Sequence, residues 1–568
     1  MTHPASLLPV LALLLALPAP AQVVGGEWEL LHQFEGQASL DFLGTVVAPA
    51  GDVDADGVPD LIFGTQYSAP GGLFQAGSAL VHSGRTGAQL WRFDGAGAID
   101  WLGRAVCGAG DVDGDGHDDL LVGASRTSPG GLLDAGSALV YSGATGAQIW
   151  RFDGREIFSA FGCSVAGPGD LDQDGTPDLV IGAYKDGPSN GYAGAITAYS
   201  GATGNPLWRA DGVLGAEILG QALATLGDLD GDGVGDILSG SEFASPSGKS
   251  NAGSVTVFSG RTGARLLSLE GDMPYDAFGC SVSGAGDLDH DGAPDILVGA
   301  WGADPNGMLL AGSAYAISGA TGARIHTWKG EAAGDQFGGA VAGCGDVDGD
   351  GMPDLLVAAK EAGPEGWLGS GSVTLWSGAT GGLLRRFNGL AYGDNLGSSL
   401  AGPGDLDGDG LGELLIGART ADPQGRNAAG AVYLRSLDPI LHPSASELPA
   451  RLGAAVTLAL DFPASEAGLA YAVLATRAGA GSCFRGGIRL PLNPDPLLDR
   501  MVAGWNPPLL RGGRGLLDAQ GDGRATALGH PALSGAIGSA IHFAAVSFSP
   551  GLPQGRLASG ARPVQLVP

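Results

Sequence analysis

Asp111-Val112-Asp113-Gly114-Asp115-Gly116-His117-Asp118-Asp119 sets carboxylates at positions one, three, five and nine of a nine-residue stretch, with glycine at position six. Alternate spacing brings three short acidic side chains to one point inside a tight turn. The glycine accepts a positive φ that other residues resist, and the fourth carboxylate closes the cluster. Like charges at this density call for a cation, and hard oxygen ligands suit calcium. The backbone carbonyl at position seven would complete the shell.

The stretch occurs seven times, at steps of 59, 59, 58, 59, 59 and 59 residues. The first copy holds Asp52, Asp54, Asp56 and Asp60, and the second Asp111, Asp113, Asp115 and Asp119. The third holds Asp170, Asp172, Asp174 and Asp178; the fourth Asp228, Asp230, Asp232 and Asp236. Asp287, Asp289, Asp291 and Asp295 make the fifth, and Asp346, Asp348, Asp350 and Asp354 the sixth. The seventh has Asp405, Asp407, Asp409 and, at position nine, Glu413. Recurrence in phase makes the period the unit of architecture. An EF-hand is excluded, because it needs a glutamate at position twelve and a helix on each side. Position twelve is Phe63, Val122, Ile181, Ser239, Val298, Val357 or Ile416, and the flanks are short apolar runs punctuated by glycine, which read as strands.

The elements that must position these acids follow from the same period. In the second repeat, Leu102–Val106 starts a strand leading into the loop and Asp119–Ala124 leaves it. A third strand, Gly136–Tyr141, and a fourth, Gln148–Phe152, are joined by the tight turn Ser142-Gly143-Ala144-Thr145-Gly146. Four antiparallel strands in each of seven units predict an all-β fold, a seven-bladed β-propeller. The seventh repeat ends after Ala431–Leu434 without a fourth strand, whereas residues 28–36 (Trp-Glu-Leu-Leu-His-Gln-Phe-Glu-Gly) match the fourth strands elsewhere, such as Leu90–Gly95. The strand at 28–35 is therefore expected to close the last blade and remove the sheet edges, in preference to an open solenoid.

Phe161-Gly162-Cys163-Ser164-Val165, an acidic loop and Asp178-Leu179-Val180-Ile181-Gly182-Ala183 resemble the FG-GAP repeat of integrin α-subunit propellers. Phe278-Gly279 and Phe337-Gly338 repeat the pattern, and leucine replaces the aromatic in Leu43-Gly44, Leu102-Gly103, Leu219-Gly220 and Leu396-Gly397. The resemblance covers about residues 28–438. It implies a propeller with structural calcium, up to seven ions, and an adhesion-type binding role. Such subunits carry calcium loops in only some blades; here every repeat has one.

The 568 residues carry a formal charge of −31, and filling seven loops with Ca²⁺ would bring it to −17. So acidic a chain argues against nucleic acid as a partner. Leu7–Leu17 is apolar and Ala19-Pro20-Ala21 offers a small-x-small cleavage site, which predicts a signal peptide over 1–21 and a secreted or cell-surface protein with no transmembrane segment. External calcium then suits weak sites. The five cysteines, Cys107, Cys163, Cys280, Cys344 and Cys483, are an odd number, and the first four fall in equivalent strands, so small core slots are expected rather than a disulfide framework.

Strand alternation puts the acidic loops and the Ser-Gly-x-Thr-Gly turns on one face. The opposite face carries the loops at 66–76, 125–135, 184–193, 242–252, 301–311, 360–369 and 419–429, with Tyr67, Arg126, Tyr184, Lys185, Lys249, Trp301, Lys360, Trp367 and Arg426. That is the candidate face for an extracellular protein or glycan. Trp91, Trp150, Trp208 and Trp328 sit in segments similar to the tryptophan-docking repeat of quinoprotein dehydrogenases, though packing between blades accounts for them as well. Residues 439–568 lose the acidic loops; Ala454–Phe462, Leu469–Thr476, Gly487–Leu492 and Ala540–Phe548 alternate as strands of a small β-sandwich. This block resembles C-terminal modules of secreted bacterial proteins.

Nine histidines are scattered without zinc-ligand spacing, and neither a nucleophile elbow nor a phosphate-cradling loop is present. Carboxylates held on calcium stay deprotonated and shuttle protons poorly. The reading is therefore a monomeric, calcium-stabilised extracellular binding scaffold comprising signal peptide 1–21, propeller 22–438 and sandwich 439–568, and not an enzyme. The alternatives are a polysaccharide-acting or quinoprotein-like enzyme and a purely architectural surface protein.

Overall fold

The computed structural model of the chain describes residues 28–437 apart from 188–191, 214–216 and 409, and beyond these the backbone strands between Leu441 and Val567. The signal peptide expected at 1–21 and the acid Asp409 lie outside the described residues.

Seven four-stranded antiparallel sheets form the repeat region. In the second blade, Leu102–Gly110, Asp119–Ala124, Ser137–Tyr141 and Gln148–Asp153 pair in order from the inside out. The first strands of successive blades neighbour one another around the ring, and Val46–Gly51 of blade 1 meets Leu396–Ala401 of blade 7. Trp28–Glu35 pairs antiparallel with Ala431–Leu437, so the start of the chain supplies the outer strand of blade 7. Leu43 bridges to Gly430 as Leu102 does to Gly77, giving the closing seam the same bond as the interior seams.

Sequence pattern explains which strand goes where. After the acid at position nine the second strands are mostly apolar, with Thr65, Ser239 and Ser241 the polar residues, and all seven are buried along their whole length. A strand covered on both faces reads as a continuous hydrophobic run. Outer strands alternate: in Gln148–Asp153 only Phe152 is buried, while Gln148, Arg151 and Asp153 are exposed. Each core cluster joins two neighbouring blades. At the closure, Phe34 rests against Phe63 and His82 at ring distances of 5.0 and 4.7 Å. Burying a phenyl ring in this way is worth about 1.5–3 kcal/mol.

Two glycines at every seam but the one between blades 6 and 7, where Ala358 stands in place of the second, are fixed by this packing. Gly162 has φ +79°, and a Cβ there would lie 2.3 Å from the Ser137 carbonyl oxygen of the preceding blade. A Cβ on Gly123 would lie 2.0 Å from the carbonyl of Gly162 itself. The paired glycines let the backbones of adjacent blades touch.

Beyond the ring, Ala455–Asp461 pairs with Asp522–Leu528 and Ala470–Thr476 with Ala540–Phe548, within a four-stranded and a six-stranded sheet, and Ala480–Arg485 pairs with Ile488–Leu492. The strands expected there form; a sandwich is a matter of side-chain packing, which lies outside the described residues. Among the described residues no helix is long and apolar enough to cross a membrane.

Candidate metal centre

Each acidic loop is a hairpin connection between the first and second strands, and its backbone bonds assign different work to each acid. In blade 1, Asp52 accepts from the amides of Asp56 and Gly57 at 2.9 Å each. Asp54 accepts from the Asp56 amide at 3.2 Å, and Asp56 accepts from Val58 at 2.9 Å. These bonds curl the loop so that its carboxylates face inward. Gly57 has φ +84°, and a Cβ there would meet nothing within 4 Å, so backbone conformation alone requires glycine at position six. The same sign recurs at Gly116 and Gly175.

Position nine behaves differently from the others. Asp60, Asp119, Asp178, Asp236, Asp295, Asp354 and Glu413 are all fully buried. One oxygen of Asp119 accepts from the amides of Val112 and Asp113 at 2.8 and 3.2 Å, and the other from Gly143 at 2.9 Å. Gly143 belongs to the Ser-Gly-x-Thr-Gly turn, so this carboxylate ties the first hairpin of the blade to the second. The bond from the turn glycine repeats at Gly84, Gly201, Gly260, Gly319 and Gly378. In blade 7 the glutamate at position nine accepts from the Leu406 amide. The sequence pattern marks this acid only as a metal ligand; the turn glycine that recurs 24 residues later is the signal for its second role.

Burial pushes the Asp60 and Asp119 carboxyls up to about 6, with the loop acids Asp54 and Asp113 adding to it and the amides opposing it. Asp178, Asp236 and Asp295 are raised for the same first reason, and Asp354 is well above its ordinary value. Asp113 is raised by burial and then by the charges of Asp115 and Asp111. A divalent cation would relieve this repulsion.

The donor set fits such a cation. Carboxylate oxygens of Asp52, Asp54 and Asp60 lie within 4.8 Å of one another, as do those of Asp170, Asp172 and Asp178, and of Asp228, Asp230 and Asp236. In blades 2 and 5 the triplets are Asp111, Asp113 and Asp115, and Asp287, Asp289 and Asp291. Two further clusters meet the same limit. All the donors are hard oxygens, the chemistry that suits calcium or magnesium. Thus the structure brings together positions one, three and nine in three loops and one, three and five in two.

Position four also adopts a left-handed conformation, a requirement that the sequence pattern does not reveal. Gly114, Gly231, Gly349 and Gly408 meet it without strain, whereas Ala55, Gln173 and His290 hold φ of 56°, 62° and 61°.

The tryptophans are accounted for by blade packing. The indole N–H of Trp91 donates to the Gly143 carbonyl of the next blade at 2.6 Å, that of Trp150 to Gly201 at 2.8 Å and that of Trp208 to Gly260 at 2.6 Å. Each latches its outer strand onto the neighbouring turn. The four described cysteines are free thiols, and Cys163 donates to the carbonyls of Gly182 and Gly220. Burial raises Cys107 and Cys280 to about 12, which makes them inert packing groups.

On the opposite face, several residues expected to await a partner are engaged locally. Arg126 pairs with Asp134 at 2.7 Å and lies over Trp101; Arg426 pairs with Glu35 at 2.8 Å; the Trp301 indole donates to Glu242 at 2.8 Å. Trp367 remains half exposed. The loops are also less varied than their sequences suggest: among the described residues, six of them contain the same one-turn 3-10 piece, as at Pro70–Gly72 and Pro129–Gly131, and the third loop is only partly described. Exposed apolar tips dominate instead. Phe74, Leu133 and Leu368 come from these loops, and Tyr275, Leu390 and Tyr392 from the connections between blades. The two sets are bonded side by side: the Ile99 amide donates to the Phe74 carbonyl, and Phe158 to Leu133. The inter-blade connections are an addition to the partner loops expected from the sequence.

A family model described as FG-GAP repeat matches residues 102–141, 219–258, 337–376 and 396–434. These segments are the first three strands of blades 2, 4, 6 and 7. Integrin alpha-V of Gallus gallus is 34% identical over 246 residues, covering 39% of this chain and 22% of the relative. Integrin alpha-5 of Xenopus laevis is 31% identical over 211 residues, covering 34% and 19%. Integrin alpha-IIb of Homo sapiens is 36% identical over 172 residues, covering 28% and 16%. The matched part spans about a fifth of the length of these relatives. The chain carries FG-GAP repeats on a seven-bladed propeller and is similar to integrin alpha subunits.

Proposed function

We propose that the protein is an extracellular binding scaffold, a propeller stiffened by calcium on one face and presenting the other to a protein or glycan. The observation that carries this reading is the convergence of carboxylate oxygens within 4.8 Å in loop after loop. Positions one, three, five and nine would hold the ion, the carbonyl at position seven would add a ligand, and Asp409 would belong to the seventh set. Calcium supplies charge neutralisation there and pins the hairpin. The similarity to integrin alpha subunits supports an adhesion-type role outside the cell, as does the apolar segment at Leu7–Leu17 with its cleavage site before Gln22. We assign residues 1–21 to export, 22–438 to the propeller and 439–568 to a separate β-sandwich, in a monomeric protein.

The partner face is the one opposite the acids. Its apolar tips, Phe74 at 63% and Leu390 at 86% exposure among them, are the kind of surface that a protein partner covers. Calorimetric titration of the metal-free protein with calcium tests the first half of the reading, and a surface-protein and glycan array read with and without calcium tests the second. Uptake of several ions with a rise in melting temperature supports the scaffold; a melt that EDTA leaves unchanged refutes structural metal. Silence across the array in both conditions refutes the binding role and favours pure architecture.

A further inference from the structure

The six Ser-Gly-x-Thr-Gly turns lie beside the acidic loops and differ at their third residue: Arg85 in blade 1 and Arg261 in blade 4, but Ala144, Ala202, Ala320 and Ala379 in the other four. Both arginines do the same thing. The Arg85 Nε donates to the outer carboxylate oxygen of Asp56 at 2.8 Å, and its Nη2 donates to the backbone carbonyl of that residue at 2.9 Å. The Arg261 Nε donates to Asp232 at 3.0 Å, and its Nη2 to the Asp232 carbonyl at 3.0 Å. Two bonds from one rigid fork to one residue, reproduced in two blades, fix the guanidinium against position five of the loop. The other oxygen of each carboxylate is held by the amide two residues on, Val58 or Val234, at 2.9 Å. Position five is thereby orientated and partly neutralised before any metal arrives.

We infer that Arg85 and Arg261 are built-in counter-ions that make the calcium loops of blades 1 and 4 weaker than those of blades 2, 3, 5 and 6, and keep these two loops closed when calcium is absent. The inference rests on the reading that the loops bind calcium. Arg85 is half exposed, so the ion pair itself adds little stability. Its consequence is for the ion. In a water-like medium, a fixed positive charge at a separation of about 6 Å would lower the affinity for a divalent cation about tenfold. The same charge replaces part of what the metal does for the metal-free loop. The propeller then has two classes of site, set by one residue of the adjacent turn.

The test is calorimetric titration of the EDTA-stripped full chain with calcium alone, at low salt, comparing wild type with the Arg85→Gln/Arg261→Gln double variant. The wild type is expected to show two sites about tenfold weaker than the rest. In the variant those two join the tighter class, while its melting temperature in EDTA falls by no more than a few degrees. Ala144→Arg/Ala320→Arg should do the reverse, adding two weak sites, and it serves should the first variant fail to fold. In 1 M salt the gap between classes should shrink, because screening acts on exposed charge. Wild-type calcium uptake with an isotherm unchanged in both variants overturns the inference. No calcium uptake by the wild type overturns the metal reading beneath it, a separate outcome.

Discussion

Replacing Asp119 by alanine separates the two roles that the acids of one loop play. In metal-free protein the substitution orphans three amides, those of Val112, Asp113 and Gly143, at a fully buried position. At about 1–2 kcal/mol for each buried donor left without a partner, the cost is about 3–6 kcal/mol. Against this stands the expense of the charge itself. Burial raises Asp119 from 3.8 to about 6, so ionising it in the folded chain at pH 7 costs about 3 kcal/mol, and alanine removes that cost. The net loss at pH 7 is therefore small, about 0–3 kcal/mol. At pH 4.5 the folded carboxyl is protonated and most of the offset disappears, making the loss about 2 kcal/mol larger. Asp115→Ala, by contrast, removes one bond, that of the His117 amide at 3.0 Å, from an exposed group. It should cost less than about 0.5 kcal/mol in EDTA at either pH. Urea melts of both variants and wild type, in EDTA at pH 7 and 4.5 and in calcium at pH 7, measure all of this. In calcium both variants should lose the metal's contribution from blade 2. Equal cost for the two variants in EDTA at pH 4.5 would refute the claim that position nine is a structural tie.

The remaining predictions follow from the same geometry. Because burial holds Asp60 and Asp119 at about 6, above an unfolded value of 3.8, metal-free protein should gain stability as pH falls from 7 towards 4, a gain lost again as pH rises through 6. In excess calcium the slope should have the opposite sign, since protons compete with the ion, and thermal melts across that range in each buffer decide the matter. Ala55→Gly and His290→Gly relieve left-handed backbone at position four and should each raise stability by about 1 kcal/mol in urea melts. Gly162→Ala adds a methyl carbon 2.3 Å from a carbonyl oxygen at positive φ and should cost about 3 kcal/mol or prevent folding, read by the same melts. Trp150→Phe keeps an aromatic ring but loses the bond to Gly201 and part of the indole packing on Gly204, so it should cost about 1–3 kcal/mol, read by the same melts.

The architecture was legible because it is written in repetition. The step between Asp52 and Asp111, the alternation in Gln148–Phe152 and the stray strand at 28–35 each constrain the backbone directly, and the strand pairing follows. The clustering of acids within each loop was legible for the same reason. What escaped were relations between distant turns. Nothing local to Asp119 says that one of its oxygens will meet the amide of Gly143; that requires the two hairpins to be folded over one another. The left-handed position four was masked because Ala55, Gln173 and His290 interrupt the glycines at 114, 231, 349 and 408. The partner face was misjudged in emphasis because charge and aromaticity attract attention in a sequence. In the fold Arg126, Arg426 and Trp301 find partners nearby, while plain leucines at 133, 368 and 390 are left facing water.

The division of labour within each loop bears on what calcium can do. If all four acids served only the ion, its loss would leave four repelling charges and an untied hairpin. Position nine instead holds the blade together through backbone amides whether or not a metal is present, and at six of the seven seams a pair of glycines lets blade meet blade. Positions three and five carry fewer structural bonds and lie nearer the surface in most blades. A bound metal would therefore act on a loop whose anchor is already set. Its effect would be to stiffen the hairpin against charge repulsion and not to create it. That predicts graded rather than all-or-none loss of stability as calcium is withdrawn, and a fold that persists in EDTA at lower melting temperature. Cooperative collapse of the whole ring on removal of the first ion would mean that position nine does not anchor the blades independently of the metal.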